Sequence, residues 1–445
     1  MSSPRDPTHD ETASLLQQEP EGSAHPDLTK EPVYPSWITA VVLLCGGALL
    51  FDLSNNLGEV AEVAILEDIV CRDYYARSAV NTILSAAERC KIEPIQTEIA
   101  LLNGWRETFE TIPGESIIWG KRDTICLLWL VSPLLKRGMT TAKVDKTLFA
   151  KDACIRTTVF SQMTAVILTT ELIAPPVGAA LMTKSPWIPF LASTVIAATS
   201  VIWGVLFFPA IHNQTKPTST SSDEERPVRT WYVSEKIREL YEHLSHNKNA
   251  ALVVVSFFVT LVGTHAFALL LQYISKRFHL SYAEASYVLP LRASFNLLSL
   301  FILLPAITGL LDRKLGFDMA RRDKILTQAN ALLMLLGCLF IFMAPNLIFL
   351  SLGVVVFGLG SPFSVTARTL VTSLVDPTSL STAYTLLSVM SSIGSLVAGP
   401  LLAGVYHLGM VLGDTWLGLP FFFAAALYGL ALVAISAVKV TARTA

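Results

Sequence analysis

Charged residues are scarce in this sequence. Asp, Glu, Lys and Arg make up 15% of its 445 residues, whereas soluble domains carry about 25%. Hydrophobic residues make up 52%, and the formal net charge is only -2. A chain without a strong excess of positive charge has no electrostatic footprint for nucleic acid, so we expect no nucleic-acid partner.

Motifs of several other protein classes are missing. The six cysteines lie far apart and form no C-x-x-C pair, which argues against zinc and thioredoxin-like sites. The only close histidine pair is His243 and His246, whereas membrane oxidases need several histidine clusters to hold two metals. A G-x-x-x-x-G-K-[ST] loop for nucleotides is also missing. We therefore expect no metal and no cofactor, and an integral-membrane enzyme is the less favoured alternative.

Long uncharged runs are present instead, and each is close to the roughly 20 residues that a helix needs to cross a bilayer. They predict an all-α, polytopic transmembrane bundle in contact with lipid. The ten candidate spans are 38–54, 117–135, 157–182, 187–209, 250–274, 287–311, 325–344, 347–367, 384–407 and 417–438. The second is doubtful, because its uncharged core from Ile125 to Leu135 is too short to cross unaided.

Lys and Arg are concentrated in alternate loops, which fixes a predicted orientation. Basic residues cluster in 136–156, 210–249 and 313–324, whereas 55–116 is acidic. This asymmetry predicts cytosolic N- and C-termini and an external loop over 55–116. The protein would lie in the plasma membrane or the vacuolar membrane.

The same pattern predicts a division into two halves joined by a linker. The segments are a disordered cytosolic tail (1–36), a shortened N-terminal half of about four spans (37–209), a cytosolic linker (210–249), a C-terminal half of six spans (250–438) and a cytosolic tail (439–445). Apolar residues recur at helical spacing from Trp231 to Leu244. They predict an amphipathic helix that lies either on the membrane surface or in a soluble linker.

Four local motifs together resemble one family. They are LEDIVCRDYY at 66–75, GWRETFETIPG at 104–114, APPVG at 174–178 and ARRDK at 320–324. Over most of residues 37–438 the chain resembles the major facilitator superfamily, in particular the fungal exporters of secondary metabolites and drugs. The resemblance implies a monomeric, proton-coupled exporter of a small organic molecule (a secondary metabolite, toxin or drug), with its site near the membrane midplane.

The chain also departs from this family. In the family the Ile-Pro-Gly motif leads into the second span, a cytosolic Gly/Asp/Arg loop and a third span. Here Gly114 is followed by ESIIWGKRD, and nearly two spans are missing. We favour an incorrect gene model or a decaying gene over a real shortened isoform, since matched halves are part of the fold. A transport-inactive, transporter-like protein is therefore the alternative function.

Polar side chains inside the predicted spans mark a pathway or a partner, because they are costly in hydrocarbon. The candidates for a substrate or proton pathway are Asp52, Glu171, Arg292, Asn296, Gln272 and His265. Asp52 either binds protons or lies in interfacial water. Glu171 either carries a proton or is paired for packing. Arg292 either binds an anionic substrate group or reaches the outer surface.

Small residues and prolines mark candidate gating or packing positions. These are Pro175, Pro176, Gly178, Gly394, Gly399 and Pro400. Helix faces lined by small residues let helices approach closely. Such an approach is compatible with gating and with simple packing. Cys71 and Cys90 fall in the predicted external loop, an oxidising compartment, and are candidates for a disulfide.

The shortening predicts that the chain transports poorly as it stands. Insertion of a family-like segment between Gly114 and Ile125 should raise both expression and efflux, because each lost interhelical hydrogen bond in a membrane costs roughly 1–2 kcal/mol. Efflux assays on vesicles with and without the insertion measure this. Equal, robust efflux by the unmodified chain would show that the short form is a working isoform.

Overall fold

A computed structural model describes residues 37–77, 89–116, 153–207, 248–315, 318–375 and 380–439. Within these ranges the chain forms helices and short connections, and no strand. The predicted span at 117–135, the tail at 1–36 and nearly all of the predicted linker and C-terminal tail lie outside them. The predicted all-α class is confirmed for the described residues.

The N-terminal half, defined here as described residues 37–207, contains four helices. They are α1 (Trp37–Arg77), α2 (Glu93–Ser116), α3 (Ala153–Met182) and α4 (Trp187–Phe207). The tandem prolines Pro175 and Pro176 lie inside α3, which continues through both of them.

The C-terminal half, defined here as residues 248–439, contains six membrane-length segments. The first two are α5 (Lys248–Thr264) continued by α6 (Leu270–Phe278), and α7 (Tyr282–Ser286) continued by α8 (Leu289–Leu298) and α9 (Leu304–Leu315). The other four are α10 (Met319–Phe342), α11 (Leu347–Gly360) with α12 (Phe363–Leu374), α13 (Leu380–Val411) and α14 (Leu419–Ala437). This confirms the six spans predicted for this half.

Eight helical stretches in the described residues are long and apolar enough to cross a membrane. Two belong to the N-terminal half and six to the C-terminal half. Helices α1 and α2 are not among the eight, although α1 has 41 residues and α2 has 24. These two helices carry the charged residues that build the candidate site.

Residues 55–77 and 93–116 are helical, so the prediction of a loop is wrong there. The external location of 55–116 stays a prediction. The buried residues of α2 recur at helical spacing: Ile95, Gln96, Ile99, Ala100, Asn103, Gly104 and Thr108. Charged residues on the other faces of α2 lower its mean hydropathy, so a hydropathy average does not detect this buried face. Asp52 lies well inside α1, because this helix continues past residue 54, where the first predicted span ends.

Helix α2 packs against α13 with almost no space between the backbones. A Cβ atom built on Gly399 would lie 2.2 Å from the carbonyl oxygen of Gly104. One turn further along, the Thr108 hydroxyl donates a hydrogen bond to the Leu396 carbonyl at 3.0 Å. Because α2 and α13 belong to different halves, this contact holds the halves together.

The two ends of the bundle differ in chemistry. At one end Cys71 and Cys90 form a disulfide, and Arg277 donates to the Asp414 carbonyl; we name this end the disulfide face. At the other end the Lys324 ammonium donates to the Val438 carbonyl at 2.7 Å. Since α5 begins at the latter end and α6 finishes at the disulfide face, this segment runs the length of the bundle.

The Gly104–Gly399 contact predicts a position-specific effect of one methyl group. Gly399→Ala should destabilise the protein by about 1–3 kcal/mol, because the backbones must separate to admit the Cβ. Gly404→Ala on the same helix is the matched control, since nothing lies within 4 Å of a Cβ there. Thermal unfolding in detergent measures both. Equal melting temperatures for the two variants would contradict the packing described.

Candidate functional site

The candidate site lies between the two halves and starts with acidic residues of α1. Glu59 is exposed, and it lies within electrostatic range of Arg106, Arg292, Glu107 and Glu171. Those four residues come from α2, α8 and α3. Glu59 makes no ion pair within 4.0 Å in the described part of the chain. Among the described residues, Glu59 is therefore a carboxylate surrounded by charges and without a direct ion-pair partner.

Arg292 and Glu171 form an ion pair across the two halves. Arg292 lies on α8 in the C-terminal half, and Glu171 lies on α3 in the N-terminal half. The guanidinium carbon also lies 5.6 Å from the centroid of the Phe267 ring, a cation–π distance. Both side chains remain partly exposed, at 35% and 20%. In this structure Glu171 has a charged partner, and Arg292 reaches that partner instead of the surface.

A second link between the halves involves His265. Its Nδ1 lies 2.9 Å from the Glu107 carboxylate of α2, and its Nε2 lies 3.2 Å from the Ser395 hydroxyl of α13. When the Glu107 carboxylate is ionised it can only accept, so the ring nitrogen facing it is then the donor. His265 thus joins α2 to two elements of the other half.

Arg106 and Glu62 connect the first two helices. The guanidinium of Arg106 on α2 lies 2.6 Å from the carboxylate of Glu62 on α1. Four residues of the site were not predicted from the sequence, because their segments resemble a charged loop: Glu59, Glu62, Arg106 and Glu107. Glu59 and Glu62 are three residues apart and flank the apolar residues Val60 and Ala61. This helical spacing could have predicted a helix in place of a loop.

The other predicted pathway residues lie at separate positions. Asp52 is partly buried on α1 and interacts electrostatically with Glu171. Asn296 is partly buried, one turn after Arg292 on α8. Gln272 is fully buried, and neither of its amide atoms has a hydrogen-bond partner in the described parts of the chain.

The predicted small-residue positions differ in how tightly they are packed. A Cβ on Gly178 would lie 3.3 Å from the Leu57 carbonyl, and a Cβ on Gly394 would lie 3.0 Å from the Leu261 side chain. Pro400 follows Gly399 at the close approach to α2. These contacts establish packing, and gating by these helices stays a prediction.

The arrangement concentrates ionisable side chains where the two halves meet. Three pairs link helices across the site: Arg292–Glu171, His265–Glu107 and Arg106–Glu62. Partly exposed carboxylates beside cations can gain or lose a proton, and each change alters which pairs hold the halves together. Two helical halves with charges along their junction define a polytopic membrane transporter.

Comparison with known proteins gives the family. No family model matches the chain. It is 31% identical over 453 residues to the "Efflux pump ustT" of Aspergillus flavus, covering 91% of this chain and 89% of that protein. It is 25% identical over 399 residues to the "MFS-type transporter avaK" of Aspergillus versicolor, covering 86% and 88%. The chain belongs to the major facilitator superfamily and is a transporter, not an enzyme.

Solved structures agree on the fold. A POT family transporter in complex with 5-aminolevulinic acid aligns with a TM-score of 0.54 at 13% identity, covering 89% of this chain and 95% of that one. A bacterial homologue of the iron transporter ferroportin, in an inward-facing state, aligns with a TM-score of 0.51 at 15% identity, covering 90% and 99%. These identities are low, so the likeness concerns the fold alone.

This chain and ustT also differ in length within the region where they align. The aligned region is 453 residues long, more than the 445 residues of this chain. The relative therefore has residues inside that region that this chain lacks. The expected shortening relative to the family agrees with this difference.

The Arg292–Glu171 pair predicts energetic coupling between the halves. Arg292→Met should lower the melting temperature more than the Arg292→Met/Glu171→Gln double variant, because the single change leaves a carboxylate unpaired. We expect a coupling energy of about 0.5–3 kcal/mol. Thermal unfolding of the two single variants and the double variant in detergent gives this value.

The matched control is the pair Asp73–Arg77, whose side chains are 54% and 79% exposed. Water screens an exposed pair, so the coupling there should be close to zero. Additive effects of the Arg292 and Glu171 changes would contradict the pairing described.

Proposed function

We propose that this chain is a proton-coupled exporter of a small organic molecule. The junction of charges between the halves carries the proposal. Glu59 lies within electrostatic range of Arg106, Arg292, Glu107 and Glu171 and has no ion-pair partner among the described residues, so we propose it as a carboxylate that binds a proton. The two relatives named above are called an efflux pump and a transporter, which supports the direction of export.

The proposed coupling is an exchange of partners. Protonation of Glu171 removes the negative charge that holds Arg292, and the same change at Glu107 weakens the hydrogen bond to His265. Each event loosens a link between α2 or α3 and the opposite half. Alternating access needs such links to break and re-form as the halves rock about the site.

The substrate we propose is a small amphipathic molecule such as a secondary metabolite, toxin or drug. Apolar and aromatic surface lies beside the charges, as Phe267 does near Arg292. Such a surface suits a molecule that has both polar and apolar parts. The transporter acts as a monomer in this proposal.

The disulfide supports an orientation. Disulfides persist in oxidising compartments, so we place the disulfide face outside and the two termini in the cytosol. The end with Lys324 then faces the cytosol, in agreement with the positive-inside rule. The membrane is either the plasma membrane or the vacuolar membrane, with the vacuolar lumen taking the place of the exterior.

Transport driven by a pH gradient tests the proposal. Full-length protein in proteoliposomes, offered a panel of amphipathic fluorescent compounds, should move at least one of them when a pH gradient is imposed. Asp52→Asn, Glu59→Gln and Glu171→Gln should each reduce this flux by tenfold or more, since each removes an ionisable carboxylate from the junction.

Glu98→Gln is the matched control, because Glu98 is exposed on α2 and away from these contacts. Its flux should equal that of the unmodified protein. Unchanged flux in all three junction variants would exclude these carboxylates from coupling.

A second candidate function is a transporter-like protein that no longer transports. The residues that ustT has inside the aligned region, and that this chain lacks, favour it. Folded protein with no flux for any compound, alongside active ustT prepared in the same way, would establish this alternative.

A further inference from the structure

A separate cluster of buried polar residues lies at the disulfide face, away from the charges already described. Its centre is Lys91, the residue after Cys90. The Lys91 ammonium lies 2.8 Å from one oxygen of the Glu67 carboxylate and 2.9 Å from the other. The side chains of Lys91 and Glu67 are only 13% and 11% exposed. A charge pair this deeply buried is costly unless both partners are well bonded.

Lys91 also contacts the other half of the protein. Its ammonium donates a hydrogen bond to the Ser275 hydroxyl at 2.7 Å, and it lies 4.1 Å from the centroid of the Tyr282 ring. The Ser275 hydroxyl in turn donates a hydrogen bond to the Leu280 carbonyl at 2.6 Å. Lys91 and Glu67 belong to the N-terminal half, whereas these partners belong to the C-terminal half. One ammonium group therefore bridges the two halves.

The disulfide positions this bridge. Glu67 lies one helical turn before Cys71 on α1, and Lys91 directly follows Cys90. The disulfide thus holds the short segment that contains Lys91 against helix α1, which contains Glu67. Gln96 adds a second tie, since its amide donates to Glu67 at 2.6 Å and to the Cys90 carbonyl at 2.9 Å.

The contacts of Lys91 divide into two groups that respond differently when the halves separate. The contact with Glu67 lies within one half and survives separation. The contacts with Ser275 and Tyr282 cross between halves and must break. Burial lowers the pKa of Lys91, and the adjacent Glu67 carboxylate opposes that shift. Glu67 stays beside the ammonium in both arrangements, so Lys91 is held in place to bond again when the face closes.

We propose that Lys91 is the residue that latches the two halves together at the disulfide face, and that the Cys71–Cys90 disulfide positions it. The proposal rests on the alternating-access transport proposed above. It assigns Lys91 a positioning role in the transport cycle, because removing it should shift the balance between closed and open forms of this face.

The test is a distance measurement that does not require transport. Nitroxide labels are attached through p-acetylphenylalanine in place of Arg77 and Trp416, which are exposed at this face in opposite halves. All native cysteines are kept. Pulsed electron paramagnetic resonance then gives the distance distribution across the face. In Lys91→Met we expect a longer-distance population to increase about tenfold relative to the closed one, as loss of a charged hydrogen bond implies.

Two further variants separate a latch from a general loss of stability. Lys91→Met leaves the Glu67 carboxylate buried and unpaired, so the Glu67→Gln/Lys91→Met double variant is measured as well. The open population should persist in the double variant, because the bridge to Ser275 is still missing. Return to the closed distribution in the double variant would overturn the proposal. Lys91→Arg should retain most of the closed population.

Two more variants change residues other than Lys91 at this face. Ser275→Ala removes a partner in the C-terminal half without touching the Glu67 pair, and it should also increase the open population. Glu93→Gln is the control. Glu93 and His407 form a second pair across the halves at 3.6 Å, but both side chains are about half exposed, at 47% and 49%. Water screens such a pair, so Glu93→Gln should leave the distribution unchanged.

Reduction of the disulfide tests its positioning role. A phosphine reductant breaks the S–S bond and is oxidised to the phosphine oxide, with water supplying the oxygen and the two thiol protons. The open population should rise in the unmodified protein but not further in Lys91→Met. An unchanged distribution in Lys91→Met and after reduction would overturn the latch. A shifted distribution in a protein that moves no compound would uphold the latch and refute the proposed function.

Discussion

The structure depends on pairing the charged side chains that lie between packed helices. Glu62, Glu107 and Glu171 each face a cationic or protonatable partner on another helix. Without those partners the carboxylates would be costly to place between packed helices. The partners come from different helices, so satisfying the charges also dictates which helices are neighbours.

The junction between halves is held by charged pairs, whereas the C-terminal half also contains a cluster of packed aromatic rings. Within that half, Phe267, Phe357 and Phe421 pack ring against ring, with Phe267 and Phe357 only 4.0 Å apart between centroids. Such contacts are rigid and do not change with protonation. The junction, in contrast, is held by pairs and hydrogen bonds that can be exchanged. A rigid half and an exchangeable junction are what a rocking mechanism needs.

The sequence predicted the C-terminal half well because long uncharged runs have few alternative structures in a membrane. It failed at residues 55–77 and 93–116, where three of the charges that made these segments look external, Glu62, Glu67 and Glu107, pair with residues far away in sequence. Lys91 and Ser275 are separated by 184 positions, and His265 and Glu107 by 158. No local pattern reveals such pairings. Asp52, Glu171, Arg292 and His265 were identified because each stands out in an apolar run, whereas Glu59 and Arg106 were hidden among other charges.

Helices α1 and α2 are neighbours inside the bundle and are paired through their charges. An exchange of charge between Glu62 and Arg106, which lie 2.6 Å apart, tests this pairing. Glu62→Arg and Arg106→Glu should each reduce the yield of folded, monodisperse protein, and the doubly exchanged variant should restore it. Yields equal to the unmodified protein in both single variants would place these residues in an external loop and contradict the account.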